Sequence, residues 1–310
     1  MKSADQAESF VFLPIHLDAA RNSTDDFNLF HDHNKWSRIR NNPFGGPIAL
    51  GFQLECLIEE RIRRWREAHG EMALIAQEGL RFSNYQFTFA SVVRPGESFQ
   101  VEITKSQFRR DGNATLSNRV VIRRDNTIVL IGNKRESRQP LFLADLPAPL
   151  APSRRAFGDR SRLTDQPYFL KRKYMNTGNA KNFLAGSLAD QTVYFDELED
   201  RVQFPETFPV SLISCALLER ARQLGHDFER DPLVYTAHGF SIDRVALAGL
   251  RSNDMLQLLV GDPEIIPASK GLGKSGANRH VYACFGLINE GALLFRAEIA
   301  LTPLDEILAG

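Results

Sequence analysis

The chain has 310 residues, 43% hydrophobic and 25% charged, with 38 Lys and Arg balanced by 38 Asp and Glu. A zero net charge excludes the basic excess that draws a protein onto nucleic acid or an anionic membrane surface, so neither partner is expected. No stretch approaches the roughly 18 uninterrupted apolar residues of a membrane helix, and residues 1–10 hold no apolar signal core. Cys56, Cys215 and Cys284 are too sparse for a disulfide framework or a zinc site and read as buried reduced thiols. A cytoplasmic protein is expected, with one large domain or two of about 150 residues.

The first informative stretch is Thr24 to Gly51, which holds Asp26, Asn28 and His31 and then the Gly-rich run Pro43-Phe44-Gly45-Gly46-Pro47. His31-Asp32-His33 does not have the spacing of a metal site, and no metal is expected. From Ile48 to about Trp65 the pattern predicts a helix whose first half is apolar nearly all round, and therefore deeply buried. Arg61, Arg63, Arg64 and Arg66 gather towards its end, where cations suit the helix dipole.

Strands are predicted next, over 80–93, 98–108, 114–123 and 127–132. Turns are marked by Arg94-Pro95-Gly96-Glu97, Asp111-Gly112-Asn113 and Asp125-Asn126. The Pro- and Ala-rich run around Leu146-Pro147-Ala148-Pro149 reads as an extended linker. It divides the chain into units over 1–140 and 168–310, with the linker over 141–167.

The second unit repeats the order loosely: a helix over 210–224, then strands over 235–242, 244–248, 255–260, 280–288 and 292–301. A long helix followed by an antiparallel meander, twice over, suggests an internal duplication. His238 and Asp243 read as satisfied core or strand-end residues. Gly271-Leu272-Gly273-Lys274-Ser275-Gly276 lacks phosphate-loop spacing, because Ala268 stands where its first Gly belongs. It reads as a mobile basic loop that, with Lys270 or Arg279, could touch a phosphate-bearing ligand.

Asp-Phe-Asn-x-x-His followed by Phe-Gly-Gly-Pro-Ile-x-x-Gly resembles the hydratase motif of MaoC-like (R)-specific enoyl-CoA hydratases and 3-hydroxyacyl-thioester dehydratases. Val93-Arg94-Pro95-Gly96-Glu97 is similar to a turn of the same family. The close likeness covers roughly residues 20–100. Leu29 stands where the family usually has Pro, and Leu50 where it commonly has His.

The resemblance implies an α+β double hotdog, with antiparallel sheets each wrapped around a long central helix. It implies a lyase that hydrates 2-enoyl thioesters, carried on coenzyme A or an acyl carrier protein. Asp26 and His31 are the implied catalytic pair, sharing one water, with Asp26 favoured as base. Asn28, Gly46, Ile48 and Gly51 would contact substrate, and the Gly51 N–H would hold the thioester oxygen as it gains charge. No cofactor beyond the thioester carrier is expected. The second half, which lacks the motif, is expected to be silent and to cover the substrate tunnel, and a homodimer of such units is possible. A hotdog thioesterase and a non-catalytic acyl-thioester-binding protein are the alternatives.

Overall fold

Apolar side chains alternate with polar ones along residues 82–137, as a sheet with one covered face requires. The computed structural model describes residues 8–110, 112–146, 158–163, 166–267, 277–288 and 291–309. Residues 1–7, Asp111, the stretch 147–157 and residues 268–276 lie outside the described residues, and with them the middle of the expected linker and the expected basic loop.

The first half runs β1 (Glu8–Val11), α1 (Pro14–Thr24), α2 (Gly51–Ala68), α3 (Glu71–Gln77), β2 (Phe82–Phe89), β3 (Ser98–Ile103), β4 (Gln107–Arg109), β5 (Thr115–Arg124) and β6 (Thr127–Ser137). The second runs β7 (Ser161–Arg162), β8 (Tyr168–Tyr174), α4 (Thr177–Gly186), β9 (Phe195–Asp196), β10 (Arg201–Val202), α5 (Thr207–Ser211) and α6 (Ile213–Gln223). It continues with β11 (Leu233–Asp243), α7 (Arg244–Ala248), β12 (Met255–Gly261), β13 (Glu264–Ile266), β14 (Arg279–Ile288), β15 (Ala292–Pro303) and α8 (Leu304–Ala309).

Thirteen of these strands form one sheet in the order β1-β3-β5-β6-β2-β11-β15-β14-β12-β8-β7, with β4 on β5 and β13 on β14. The pairing of β2 with β11, from Phe82↔Asp243 to Thr88↔Ala237, makes the two halves continuous. Helices α2 and α5–α6 lie in the core that the sheet covers. Among the described residues, no helix is long and apolar enough to cross a membrane. All three cysteines are free and buried.

The structure corrects several sequence expectations. Helix α2 starts at Gly51 rather than Ile48, because Ile48 and Ala49 spend their backbone N–H groups sideways, on Phe30 O and Val93 O. Arg66 is not a surface cation at the helix end: it is buried and paired with Glu136. The second central helix starts at Thr207 and is interrupted at Leu212. Its start is fixed by Glu59, which accepts the N–H groups of Glu206 and Thr207. Residues 244–248 are helical, not extended, because the Asp243 carboxylate caps the N–H groups of Val245 and Ala246.

Helices α1 and α4 are absent from the sequence reading. They cross where Gly186 leaves no room for a side chain: a Cβ there would lie 2.7 Å from both Ala20 N and His16 O. Backbone atoms cannot step aside, so Gly186→Ala must push the two helices apart. We expect it to cost roughly 1–3 kcal/mol, seen as a lower urea midpoint with an unchanged slope. An unshifted midpoint would show that the crossing is loose.

Candidate active site

The segment after α1 is shaped by short-range bonds from side chain to backbone. Asp25 takes a left-handed conformation (φ 53°) and turns the chain. Asp26, only 3% exposed, accepts the Asn28 N–H at 2.9 Å. Asn28 Oδ1 accepts the Phe30 N–H at 3.1 Å and so caps the short 3-10 turn Leu29–His31. These bonds deliver His31 to a fixed place at the end of the turn.

His31 Nδ1 lies 2.8 Å from Ile48 O. A carbonyl oxygen can only accept, so Nδ1 carries the proton and Nε2 keeps its lone pair. Nε2 is buried and has no hydrogen-bond partner among the described residues. Ile48 is held from its other side, its N–H on Phe30 O at 2.9 Å, and Ala49 N–H reaches Val93 O at 2.8 Å. The Leu50 N–H is capped by Gln53 Oε1. Gly51 opens the helix with an N–H that meets no acceptor among the described residues, one of the orphan donors of a helix N-terminus.

A cavity of about 50 Å³ is lined by Asn28, His31, Ile48, Gly51 and Tyr235. Four of the residues singled out in the sequence therefore share one space. Asp26 and Gly46 are not on its wall; Gly46 lies in the preceding loop, where a Cβ would meet Arg94 Cδ at 4.0 Å. Asp26 is nonetheless close to the site, because burial and then its charge hold the Tyr235 phenol well above the ordinary range. No hydrogen bond joins Asp26 to His31. A second narrow cavity, of about 40 Å³, shares Asn28, Phe30, Leu233 and Tyr235 with the first. It shares His226 and Tyr282 in turn with a cleft of about 490 Å³. The three cavities thus lie side by side, from the His31 neighbourhood to a wide cleft between β11, β14 and α6.

The sequence reading missed Tyr235 and Glu55, while His238, read there as a core or strand-end residue, is indeed buried in the core with a partner. Tyr235 of β11 donates to Ser214 Oγ of α6 at 3.1 Å. His238 Nδ1 lies 2.7 Å from Glu55 Oε1, both side chains fully buried. Phe52 stacks on the His238 ring, and Phe89 and Tyr235 meet it edge-on. Burial pushes the Glu55 carboxyl upward, against the pull of His238. A carboxylate within the most apolar turns of α2 was the available signal, since such a group must find a partner. A Cβ on Gly51 would lie 2.9 Å from Phe89 Cζ and 3.1 Å from His238 Cε1, so the helix start abuts this pair. His33 lies beside Asp18 and Asp32 binds Arg21; no group of His, Cys, Asp or Glu able to hold a metal occurs among the described residues.

No protein-family model matches the sequence, and no curated protein matches it either. Solved structures do. A conserved hypothetical protein of Mycobacterium tuberculosis, described as having a double hotdog fold, superposes with a TM-score of 0.56 at 12% identity, over 97% of this chain and 95% of that one. The fold is a double hotdog. The same fold relates the chain to a protein of Chloroflexus aurantiacus described as a MaoC domain protein dehydratase, with a TM-score of 0.59 at 10% identity over 96% of this chain and 93% of that one. A further structure, described as a MaoC-like dehydratase, gives a TM-score of 0.56 at 9% identity, over 94% of this chain and 95% of that one. Within this double hotdog, β11 of the second half closes the pocket at the start of α2.

Glu55 and His238 pair through Oε1 and Nδ1 across the halves, so removing one strands the other. Glu55→Leu is expected to cost about 1–3 kcal/mol, and the double variant Glu55→Leu/His238→Phe less than the sum of the two single changes. A double-mutant cycle on denaturant midpoints checks this; strict additivity would mean that the two groups do not interact.

Proposed function

We propose that this chain is a hydro-lyase of the MaoC-like type, which reversibly hydrates a 2-enoyl thioester to the (R)-3-hydroxyacyl thioester. The observation that carries the reading is the free lone pair on buried His31 Nε2, in a side chain that lines one cavity with Asn28 and Gly51, whose N–H is unpaired among the described residues. The double hotdog neighbours described as MaoC-like dehydratases support it.

The acyl group would lie in the narrow cavity lined by Phe30, Leu233 and Tyr235, with the carrier arm towards the neighbouring wide cleft. His31 Nε2 takes a proton from water as the water oxygen bonds to the β-carbon. The π electrons move to the thioester oxygen, and the Gly51 N–H at the head of α2 stabilises the enolate. The proton on His31 then passes to the α-carbon, so the net change is addition of H and OH across the double bond.

The sequence favoured Asp26 as base. In the structure its Oδ1 is engaged by Asn28 N–H while the His31 lone pair is free, so we assign acceptance to His31 and give Asp26, which lies off the cavity wall, the positioning of the turn that carries Asn28 and His31. Leu50, where the family commonly has His, points into the buried core and leaves the Gly51 N–H untouched. The reaction so drawn uses no cofactor beyond the thioester carrier.

Hydration of crotonyl-CoA and longer enoyl-CoAs, followed by loss of conjugated absorbance, tests the assignment. His31→Ala and Asp26→Asn should each lower kcat/KM by about 10²–10⁴ while melting like the parent. Full activity in His31→Ala, or thiol release in place of hydration, would sink the reading.

A further inference from the structure

Two polar side chains from the first turns of α2 reach across the seam into the second half. Gln53 Nε2 donates to Gly186 O at 2.6 Å. Glu55 Oε1 lies 2.7 Å from His238 Nδ1, with both side chains fully buried. His238 stands at the middle of β11, opposite Phe87 of β2 on one side and Ile299 of β15 on the other. The proposed reaction uses neither Glu55 nor His238.

The imidazole of His238 is held on every side. Phe52 stacks on it at a centroid distance of 4.4 Å. Phe89 and Tyr235 meet it edge-on, each at 4.9 Å, and Glu55 holds its Nδ1. Three of the residues around this ring, Gly51, Phe89 and Tyr235, also line the His31 cavity. The contact with Gly51 is to backbone, since a Cβ there would lie 3.1 Å from His238 Cε1. The ring therefore abuts the residue whose N–H opens the helix.

Replacing a buried polar pair by an apolar pair of the same shape is often neutral or stabilising. Here Glu55 Oε2 and His238 Nε2 meet no partner among the described residues, so stability alone gives no reason for the pair. What it adds over apolar packing is direction, because a hydrogen bond restricts the angle between its partners as well as their distance. Glu55 follows Gly51 by about one turn of the same helix. Fixing Glu55 on β11 therefore fixes the tilt of the head of α2, and with it the line of the Gly51 N–H.

We propose that the Glu55–His238 pair is a positioning device that keeps the Gly51 N–H aimed at the thioester oxygen, acting on the chemical step rather than on substrate affinity. The inference rests on the hydratase reading, in which that N–H stabilises the enolate. A donor slightly off line still admits the bound thioester, but it meets the developing charge less well.

Two measurements on the full chain test this. One is hydration of crotonyl-CoA. The other is the infrared carbonyl frequency of bound butanoyl-CoA, labelled with carbon-13 at the carbonyl, which has no double bond to hydrate. The parent should lower that frequency relative to the free thioester. Glu55→Leu/His238→Phe should fold, with a denaturant midpoint above that of either single variant. It should nonetheless lower kcat by about tenfold or more, keep KM within about threefold, and lose most of the carbonyl shift. Glu55→Gln, which keeps a partner for Nδ1, should recover most of both losses. Parental kcat and carbonyl frequency in the double variant, equal losses in Glu55→Gln, or a double variant that does not fold would assign the pair a purely structural role and overturn the proposal. An unshifted carbonyl in the parent overturns it too. A parent that shifts the carbonyl, loses the shift in the double variant and hydrates no enoyl-CoA removes the hydratase reading alone and supports the positioning of the Gly51 N–H.

Discussion

The peptide unit of Ile48 is the point on which the site depends. Its N–H is taken by Phe30 O and its carbonyl by His31 Nδ1, while the next N–H, of Ala49, goes to Val93 O. These bonds hold residues 48–50 extended and delay the helix until Gly51. They fix three things together: the tautomer of His31, the direction in which its Nε2 faces, and the exposure of the Gly51 N–H at the head of a helix about 27 Å long. A buried carbonyl needs a donor, and here the donor is the catalytic candidate itself, so structural satisfaction and chemical orientation are one interaction.

The second half is structural support with chemical consequences. Its strand β11 pairs with β2 along seven registered positions, which brings Tyr235 to the wall of the pocket and His238 against Glu55. A wall built by the same chain is fixed by backbone hydrogen bonds at the seam, with no loss of translational freedom on assembly. The same seam places Lys134 and Glu136 opposite Glu206, so a polar cavity further along α2 also lies between the halves. Helix α2 is buried on most sides and still carries Gln53, Glu55, Glu59 and Arg66; each finds its partner outside its own helix.

Strand alternation around Tyr85, Phe87 and Val120–Ile122, and the apolar run of α2, were legible because burial on one face or on all faces leaves a period in the sequence. The order of helix and meander in each half was legible for the same reason. Helices α1 and α4 were not, because each is short and mixed in polarity, and their stability comes from crossing each other at Gly186. Residues 244–248 carried a strand-like pattern, yet the Asp243 cap overrode it. Asp26, Asn28, His31 and Gly51 stood out through motif spacing, while Tyr235 carried no local mark and Glu55 only that of a carboxylate in the apolar turns of α2.

The sequence by itself determined the local chemistry: the Asx turns that carry Asp26 to His31, the Gly at the head of a buried helix, and the periodicities of helix and sheet. These are decided by neighbours a few residues apart, whose geometry follows from covalent connection. The tertiary structure alone decided which nitrogen of His31 is free, where α2 begins, that Tyr235 completes the pocket, and that Arg66 is buried. Each of those turns on a partner tens to hundreds of residues away, such as Glu55 on His238 or Arg66 on Glu136. Only chain closure brings such groups within hydrogen-bonding distance.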